Sequence, residues 1–464
     1  MDAATGAFQQ ELKAMSVTAA GQPIGSAPEP RKLAPNIIRG PDTSSRRWLY
    51  LSLNIVCMIL IANLQYGWTL FVPPMHAAHG WSVSQIQIAF TLFIALETWG
   101  TPFNGWLVDH LGPHFGPRVV MGFGGVLVAL GWIINSYALT LPMLYVGGAV
   151  SGIGAGAVYC SAVGTAVKWF KDRRGLAVGL IAGGYGAGAA LTVIPIAMVL
   201  RTSGYEAAFF WFGLLQGGVV VIVSQFVRNP DPGEAIESSV VKVQRTRHSY
   251  TTAEMLRSPI FWILYLLDGL MCAGGLTVSA DLAPIGAAFQ VSQVALFGTT
   301  ALAVALVVAN VMNGGARPFF GWVSDQIGHT ITMAIAFGLG AVAYYMLTVA
   351  GHSPWGFIFF AGLVFFCWGE IFSLFPAMCT DLFGEKYATT NLSVLYTAKG
   401  VAALLVPFGS VIAGMAGDWG VVLYIAAGIN TVAVVLVLAV LRPAEHRRHA
   451  DEADAAKMIA GVAE

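Results

Sequence analysis

Arg317 and Lys399 are single basic residues inside two long apolar stretches, AVALVVANVMNGGARPFFGW and ATTNLSVLYTAKGVAALLVPFGS. A cation at the middle of a membrane costs at least ~3 kcal/mol on insertion scales, so such a residue normally faces an anion. Both side chains donate charge-assisted hydrogen bonds to carboxylates. The two residues therefore predict a buried anion-binding site, and the anion is either an acidic side chain or a transported solute.

Four acidic residues in apolar segments could neutralise these cations: Glu97, Asp268, Asp281 and Glu370. At a rise of 1.5 Å per residue, Glu97 lies about 18 Å and Glu370 about 16 Å from the ends of their predicted helices. Both would reach the depth of the two cations, so they are candidate ion-pair or proton-carrying residues. Asp268 and Asp281 are predicted to act in helix packing or gating.

The composition predicts a polytopic membrane protein. Of the 464 residues, 56% are hydrophobic and 10% are charged, whereas soluble domains average about 25% charged residues. The net charge of zero argues against a nucleic-acid partner. The five cysteines have no zinc or redox spacing. We therefore predict no catalytic residues, no metal and no cofactor.

Apolar runs of about 20 residues predict twelve membrane spans in an all-α fold. Polar composition predicts a disordered tail at 1–46, a central loop at 229–257 and a second tail at 443–464, which flank six-helix halves at 47–228 and 258–442. The spans are predicted to begin near Trp48, Ser84, Phe115, Leu141, Gly175, Glu206, Ser258, Ser292, Thr330, Trp355, Thr389 and Trp419.

The two halves share a sequence repeat. PFNGWLVDHLGPHFG at 102–116 aligns with PFFGWVSDQIGHTIT at 318–332, and each closes the second span of its half. Such internal repeats are typical of secondary transporters. We predict a structural or gating role for Gly105 and Gly321, which would let helices approach closely, and for Asp109 and Asp325.

Basic residues predict the orientation of the chain. Of the 24 Lys and Arg residues, all except Arg201, Arg317 and Lys399 fall in the two tails, the central loop or the turns on one side. The positive-inside rule then places both termini in the cytoplasm.

Three motifs resemble a known family. GWLVDHLGPHFGPR (105–118) resembles the signature between spans 2 and 3 of the major facilitator superfamily. WFKDRRGLAVGLIAGGYGAG (169–188) resembles the entry of the fifth span in monocarboxylate porters, and we assign its Arg173 and Arg174 to topology and gating. NLQYGWTLF (63–71) resembles the first-span motif of that group. With Arg317 and Lys399, the chain looks most like the oxalate–formate antiporter branch.

This resemblance implies that Arg317 and Lys399, in spans 8 and 11, face each other across a central site and hold a small carboxylate. Tyr396, three residues before Lys399, would share its helix face. Polar and aromatic residues are expected to wall the substrate between the two cations: Gln65, Tyr66, Tyr159, Trp368 and Tyr396.

Two positions depart from the related groups. The antiporter branch is expected to hold a tyrosine where this chain has Phe372, and proton-coupled monocarboxylate carriers have an acid where it has Asn313. The resemblance implies anion exchange by a functional monomer in a bacterial inner membrane. The alternative is a proton-coupled monocarboxylate symporter that uses Glu97 or Glu370.

Overall fold

The structure, a computed structural model, describes residues 41–170, 174–231, 234, 249–384 and 387–448. The described residues from 44 onward form one compact unit, and of residues 1–43 only 41–43, which begin the first helix, are described. The described part of the first half contains a 3₁₀ turn (Trp68–Leu70) and the helices α1 (Pro41–Tyr66), α2 (Val72–His79), α3 (Val83–Trp99), α4 (Thr101–His110), α5 (Gly112–Ser136), α6 (Leu141–Trp169) and α7 (Arg174–Ser224).

The second half is also helical in its described residues, apart from one short hairpin. Its elements are α8 (Thr252–Arg257), α9 (Pro259–Ala288), β1 (Ala295–Leu296), β2 (Thr299–Thr300), α10 (Ala301–Ile327), α11 (His329–Ala350), α12 (Pro354–Gly369), α13 (Ile371–Phe383), α14 (Ala388–Ala403), α15 (Val406–Ala416), α16 (Gly420–Leu436) and a π-helical turn (Val437–Leu441).

Twelve spans can be traced through the described residues. Ten helical segments are long and apolar enough to cross a membrane. One of them, within α7, makes two spans because it breaks at Gly204, where φ is 85° and only glycine is comfortable. The apolar helix α3 is shorter and completes the twelve together with α4. The predicted all-α polytopic fold is confirmed.

Three spans are interrupted near the middle of the protein. Helix α3 passes into α4 at Gly100, α12 passes into α13 at Glu370, and α14 passes into α15 at Leu404. Proline follows closely at the first and third breaks, where it cannot donate a helical hydrogen bond. These breaks place Glu97 in the last turn of α3, Lys399 about one turn before the end of α14, and Glu370 between two helices.

Close packing of α6 on α3 fixes the position of Glu97. Gly148, Gly152 and Gly156 recur at intervals of four residues and lie on one face of α6. A Cβ added at these glycines would collide with the backbone of Ala89, Phe93 and Glu97, respectively. Only glycine permits this approach, which is the usual role of small residues between membrane helices.

The predicted start of the eighth span near Ser292 is wrong. The antiparallel hairpin β1–β2 occupies this stretch, and the span begins at Ala301, capped by the Thr300 side chain. Phe297 and Gly298 turn the hairpin with φ values of 51° and 78°. The segment is apolar enough to be counted as helix, but its turn needs left-handed backbone conformations.

Helices extend into all three polar segments that were predicted as tails or loop. The first helix begins at Pro41, inside the predicted 1–46 tail, and the last helical segment runs to Arg448, past the predicted end at 442. Helix α8 lies within the predicted 229–257 loop and has a Thr251–Glu254 capping box. Hydropathy marks the membrane boundary, and a helix can continue beyond it. Residues 1–40, 235–248 and 449–464 lie outside the described part.

Candidate functional site

Lys399 is fully buried and is bonded to residues of the other half. Its Nζ donates to Glu97 Oε2 at 3.0 Å, to Gln65 Oε1 at 2.9 Å and to the Tyr396 hydroxyl at 3.2 Å. Glu97 and Gln65 come from α3 and α1, whereas Lys399 comes from α14. An acidic side chain therefore serves as the anion for one of the two predicted cations.

Arg317 is also buried, and its hydrogen-bond partners among the described residues are all neutral. Its guanidinium donates to the Ala182 carbonyl at 2.6 Å, to Asn313 Oδ1 at 3.0 Å and to the Tyr66 hydroxyl at 3.3 Å. Asn313 thus accepts a bond from Arg317 at the place where related proton carriers are expected to have an acid. Within the described residues, no carboxylate compensates Arg317.

Both cations lie close to the Phe372 ring. Arg317 Cζ is 4.3 Å and Lys399 Nζ is 5.8 Å from its centroid. Cations are attracted to the face of an aromatic ring by about 0.5–2 kcal/mol. The structure therefore brings Arg317 and Lys399 to one site, and the residue that departs from the expected tyrosine is the one they share.

Aromatic side chains wall this site on several helices. The Tyr159 and Tyr396 rings stack with centroids 5.5 Å apart, and Tyr66 meets Trp368 edge-on at 6.0 Å. Lys399 Nζ also lies 5.3 Å from the Tyr396 ring centroid. The structure thus brings together all the residues that the resemblance assigned to substrate binding: Gln65, Tyr66, Tyr159, Arg317, Trp368, Tyr396 and Lys399.

Tyr185 belongs to the site and was missed by sequence reasoning. Its hydroxyl lies 2.8 Å from Glu97 Oε1 and 3.1 Å from Gln65 Oε1, either of which can accept its proton. Its ring contacts Tyr66 and Tyr159 edge-on, each at 5.6 Å. The signal was a single tyrosine inside the glycine-rich run GGYGAG, because small neighbours leave space around one large polar ring.

Three buried donors of the site have no acceptor in the described part of the chain: Gln65 Nε2, Arg317 Nε and Trp368 Nε1. Leaving a buried donor unpaired costs about 1–3 kcal/mol. All three belong to residues around the two cations, where a small acceptor could use them. A carboxylate has two oxygens and about four lone-pair positions, which suit this set of donors.

The second predicted acid, Glu370, is buried and makes no bond to either cation. Neither of its carboxylate oxygens has a partner among the described residues. Asp268 is also buried and receives only the weak Cys272 Sγ donor at 3.7 Å. Burying a charged carboxylate without a partner is very costly, so we count neither as a charged member of the site.

The residues predicted for structure or gating make no contact with the two cations where the structure describes them. Asp109 accepts a bond from Lys168; the Asp109 side chain is largely exposed and that of Lys168 is half-buried. Among the described residues, a Cβ at Gly321 would meet no atom within 4 Å and one at Gly105 would meet only Cys160 Sγ at 3.5 Å, so the described helices do not approach closely at these glycines. Arg173 and the side chains of Arg174 and Asp325 lie outside the described residues.

On the side of the site away from the chain ends, hydrogen bonds join the two halves. Gln87 Nε2 donates to Asp281 Oδ1 at 2.7 Å, and the Ala283 amide donates to Thr69 Oγ1 at 2.7 Å. We call these two bonds the distal latch. Trp68, in contrast, donates to Gln87 and packs on Phe90, so it does not contact the two cations.

Comparison with known proteins gives consistent matches. The Major Facilitator Superfamily model matches residues 54–407 and 316–462. The chain is 35% identical over 359 residues to the oxalate:formate antiporter of Oxalobacter formigenes, which covers 77% of this chain and 82% of that protein. It is 28% identical over 256 residues to human monocarboxylate transporter 11, which covers 53% of this chain and 51% of that protein.

A bacterial relative of unassigned substrate matches over a similar length. The chain is 26% identical over 360 residues to the uncharacterized MFS-type transporter YhjX of Escherichia coli K12, which covers 77% of this chain and 86% of that protein.

Proposed function

Because the chain belongs to the major facilitator superfamily of transporters, we propose that it carries small carboxylate anions by alternating access. Our first candidate is exchange of the oxalate–formate type. The similarity to a protein named oxalate:formate antiporter supports an anion as the cargo. The observation that carries the proposal is the convergence of Arg317 and Lys399 on the Phe372 ring, in a buried site with unpaired donors.

The proposed site binds a carboxylate through the two cations and the aromatic donors. The Arg317 guanidinium offers a planar fork that matches the two oxygens of a carboxylate. Lys399 offers a compact charge, and the hydroxyls of Tyr66 and Tyr396 already lie beside the cations. The aromatic rings exclude water, and charge interactions are stronger in a site of low dielectric constant.

Alternating access follows from the way the site is divided between the halves. Lys399 of the second half bonds Gln65 and Glu97 of the first, and Arg317 of the second half bonds Tyr66 and Ala182 of the first. A rocking motion of one half against the other must break and remake these bonds. A bound carboxylate would neutralise the charges of Arg317 and Lys399 while they change hydrogen-bond partners.

A proton-coupled monocarboxylate symporter is the second candidate. The Glu97–Lys399 ion pair favours it, since a carrier with its own anion does not need substrate to neutralise that cation. Glu97 would carry the proton, because Glu370 contacts neither cation in the described structure. Carboxylate uptake into anion-free vesicles under an inward proton gradient would select this candidate over obligate exchange.

The proposed setting is a bacterial inner membrane with both termini in the cytoplasm and a functional monomer. The bias of Lys and Arg towards one side supports the orientation. The similarity to bacterial carriers supports the location.

Neutralising either cation tests the proposed site. We expect Arg317→Gln and Lys399→Gln each to lower carboxylate exchange in proteoliposomes by more than about tenfold, because removing one partner of a buried charged contact typically costs 2–5 kcal/mol. The measurement is uptake of labelled oxalate or formate into vesicles preloaded with oxalate, formate or nothing.

Arg201→Gln is the matched control, because Arg201 is an exposed basic residue of α7, about 24 Å along the helix from Tyr185 at 1.5 Å per residue. Its exchange rate should stay near that of the unmodified protein. Normal exchange by either site variant, at equal levels of inserted protein, would refute the two-cation site.

A further inference from the structure

The charges of the site can be counted from its contacts. Arg317 and Lys399 each contribute one positive charge, and Glu97 contributes one negative charge through its 3.0 Å contact with Lys399. Asp268 and Glu370 have no cation in hydrogen-bonding contact within the described residues and are counted as neutral acids. The site therefore carries one net positive charge.

This charge belongs to Arg317, because Lys399 is already compensated. Within the described residues, Arg317 donates only to the neutral oxygens of Ala182, Asn313 and Tyr66, and the rest of its contact is the Phe372 ring. Glu97, in turn, is held by Tyr185 as well as by Lys399. The first half thus supplies an internal carboxylate at one of the two places where a dicarboxylate would bind.

We propose that Glu97 determines the charge of the transported anion. With Glu97 ionised, the site is matched to a monocarboxylate bound at Arg317, and Lys399 keeps its internal partner. A dicarboxylate binds both cations only after Glu97 has taken up a proton, since two carboxylates cannot both face Lys399 without repulsion. This inference rests on the proposed function, because it concerns the same carboxylate site.

The proposal links dicarboxylate binding to one proton. A dianion enters together with the proton on Glu97, and a monoanion enters without it, so both loaded forms carry the same total charge. Among the described residues, the ionisable groups around Glu97 and its partner Lys399 come from six other helices. They are Tyr66 of α1, Tyr159 of α6, Tyr185 of α7, Asp268 of α9, Arg317 of α10, and Tyr396 and Lys399 of α14. The phenols are neutral at physiological pH, and Asp268 is counted above as a neutral acid.

The decisive experiment compares anions of different charge on Glu97→Gln. Inhibition of labelled formate exchange is measured with unlabelled formate, lactate, oxalate and malonate in proteoliposomes near neutral pH. The unmodified protein should bind the monoanions more tightly. In Glu97→Gln, the ratio of dianion to monoanion affinity should rise by at least about tenfold, because a full negative charge has left the site. An unchanged ratio would overturn the proposal.

Two matched variants separate charge from packing. Glu97→Asp keeps the charge, so it should keep the preference for monoanions. Asp281→Asn removes another buried acid, one that bonds Gln87 in the distal latch, and its ratio should also be unchanged. A rise in dianion preference in Asp281→Asn equal to that in Glu97→Gln would show a general effect of removing membrane acids and would overturn the proposal.

Glu97→Gln leaves Lys399 without a counter-ion, so the variant can fail to insert into the membrane. In that case a measurement on the unmodified protein tests the proposal. Between roughly pH 8 and pH 6 oxalate remains a dianion. Over this range acidification should tighten inhibition by oxalate severalfold and leave inhibition by formate unimproved. Oxalate inhibition that does not respond to pH would contradict the proton linkage.

The outcomes also separate this inference from the proposed function. If none of the four anions crosses or inhibits, the proposed carboxylate function fails. If formate exchanges normally but neither the variant ratio nor the pH response appears, only the role of Glu97 fails.

Discussion

Phe372 and Tyr185 each change the immediate surroundings of the Arg317–Lys399 pair. Phe372 offers both cations the face of a ring but no hydroxyl, so it stabilises them without binding a carboxylate oxygen. Tyr185 directs its hydroxyl towards Glu97 and Gln65, the two partners of Lys399. Tyr185 of the first half therefore donates to both first-half partners of Lys399.

Tyr185→Phe should shift the preference of the site towards dianions and leave the protein folded. The ring contacts with Tyr66 and Tyr159 remain, but Glu97 and Gln65 lose a donor. A buried hydrogen bond to a charged group contributes about 1.5–3 kcal/mol, so its loss destabilises ionised Glu97, and we expect the ratio of oxalate to formate affinity to rise by roughly tenfold. Inhibition of labelled formate exchange by the two anions provides the measurement, and an unaltered ratio would contradict this role of Tyr185.

Helices α7 and α10, one from each half, pack closely against each other. A Cβ at Gly314 would lie 2.6 Å from Ala187 Cβ and 2.9 Å from the Gly183 carbonyl, so the two backbones pack almost directly on each other. Arg317 follows Gly314 by about one turn and reaches Ala182 of α7 because of this approach. The packing of these two helices therefore positions the uncompensated cation.

Gly314→Ala should push α7 and α10 apart and lower exchange by at least about fivefold, because neither backbone can move aside at low cost. Gly315→Ala is the matched control on the same helix, since a Cβ there would meet no atom within 4 Å. Both variants are compared by uptake and by thermal unfolding in detergent. Equal effects at the two positions would mean that the contact does not position the site.

At the scale of the whole molecule, the distal latch joins the two halves on one side of the site. In an alternating-access cycle these bonds must open whenever the site faces the side away from the chain ends. The basic residues predict that this is the external side, so the arrangement corresponds to a carrier closed towards the outside.

A disulfide across the distal latch should stop the cycle. Thr69→Cys with Ala283→Cys places two thiols where a side chain and a backbone amide are already 2.7 Å apart. Oxidation should lower exchange by more than about tenfold, because rocking cannot proceed, and a reductant should restore it. The single variants under the same oxidant control for the five native cysteines.

Unimpaired exchange in a fully crosslinked protein would contradict opening at this latch. The predicted side can be checked separately with Arg201→Cys, which lies on an exposed position of α7. An impermeant thiol reagent should label it from outside intact cells.

Much of the fold followed from composition and periodicity. The spans were visible because the lipid-facing and core residues of a membrane helix are both apolar, and the comparisons confirm the family inferred from the motifs. The errors in the predicted helices occurred in segments whose hydropathy does not indicate their backbone conformation. The hairpin Ala295–Thr300 was counted as helix, and the polar helices at Thr252–Arg257 and up to Arg448 were counted as loop or tail.

By itself, the sequence determined that two cations lie at similar depth in a twelve-span protein, since a charged residue is easily recognised within an apolar segment. It could not decide which acid pairs with them, because Glu97 and Glu370 reach the same depth by helix length alone. Only the tertiary structure decided this: the packing of α6 glycines against α3 and the break at Gly100 bring Glu97 to Lys399. Glu370, between α12 and α13, has no partner within the described residues. Pair formation depends on how helices distant in sequence are rotated and packed, which no spacing within one helix can specify.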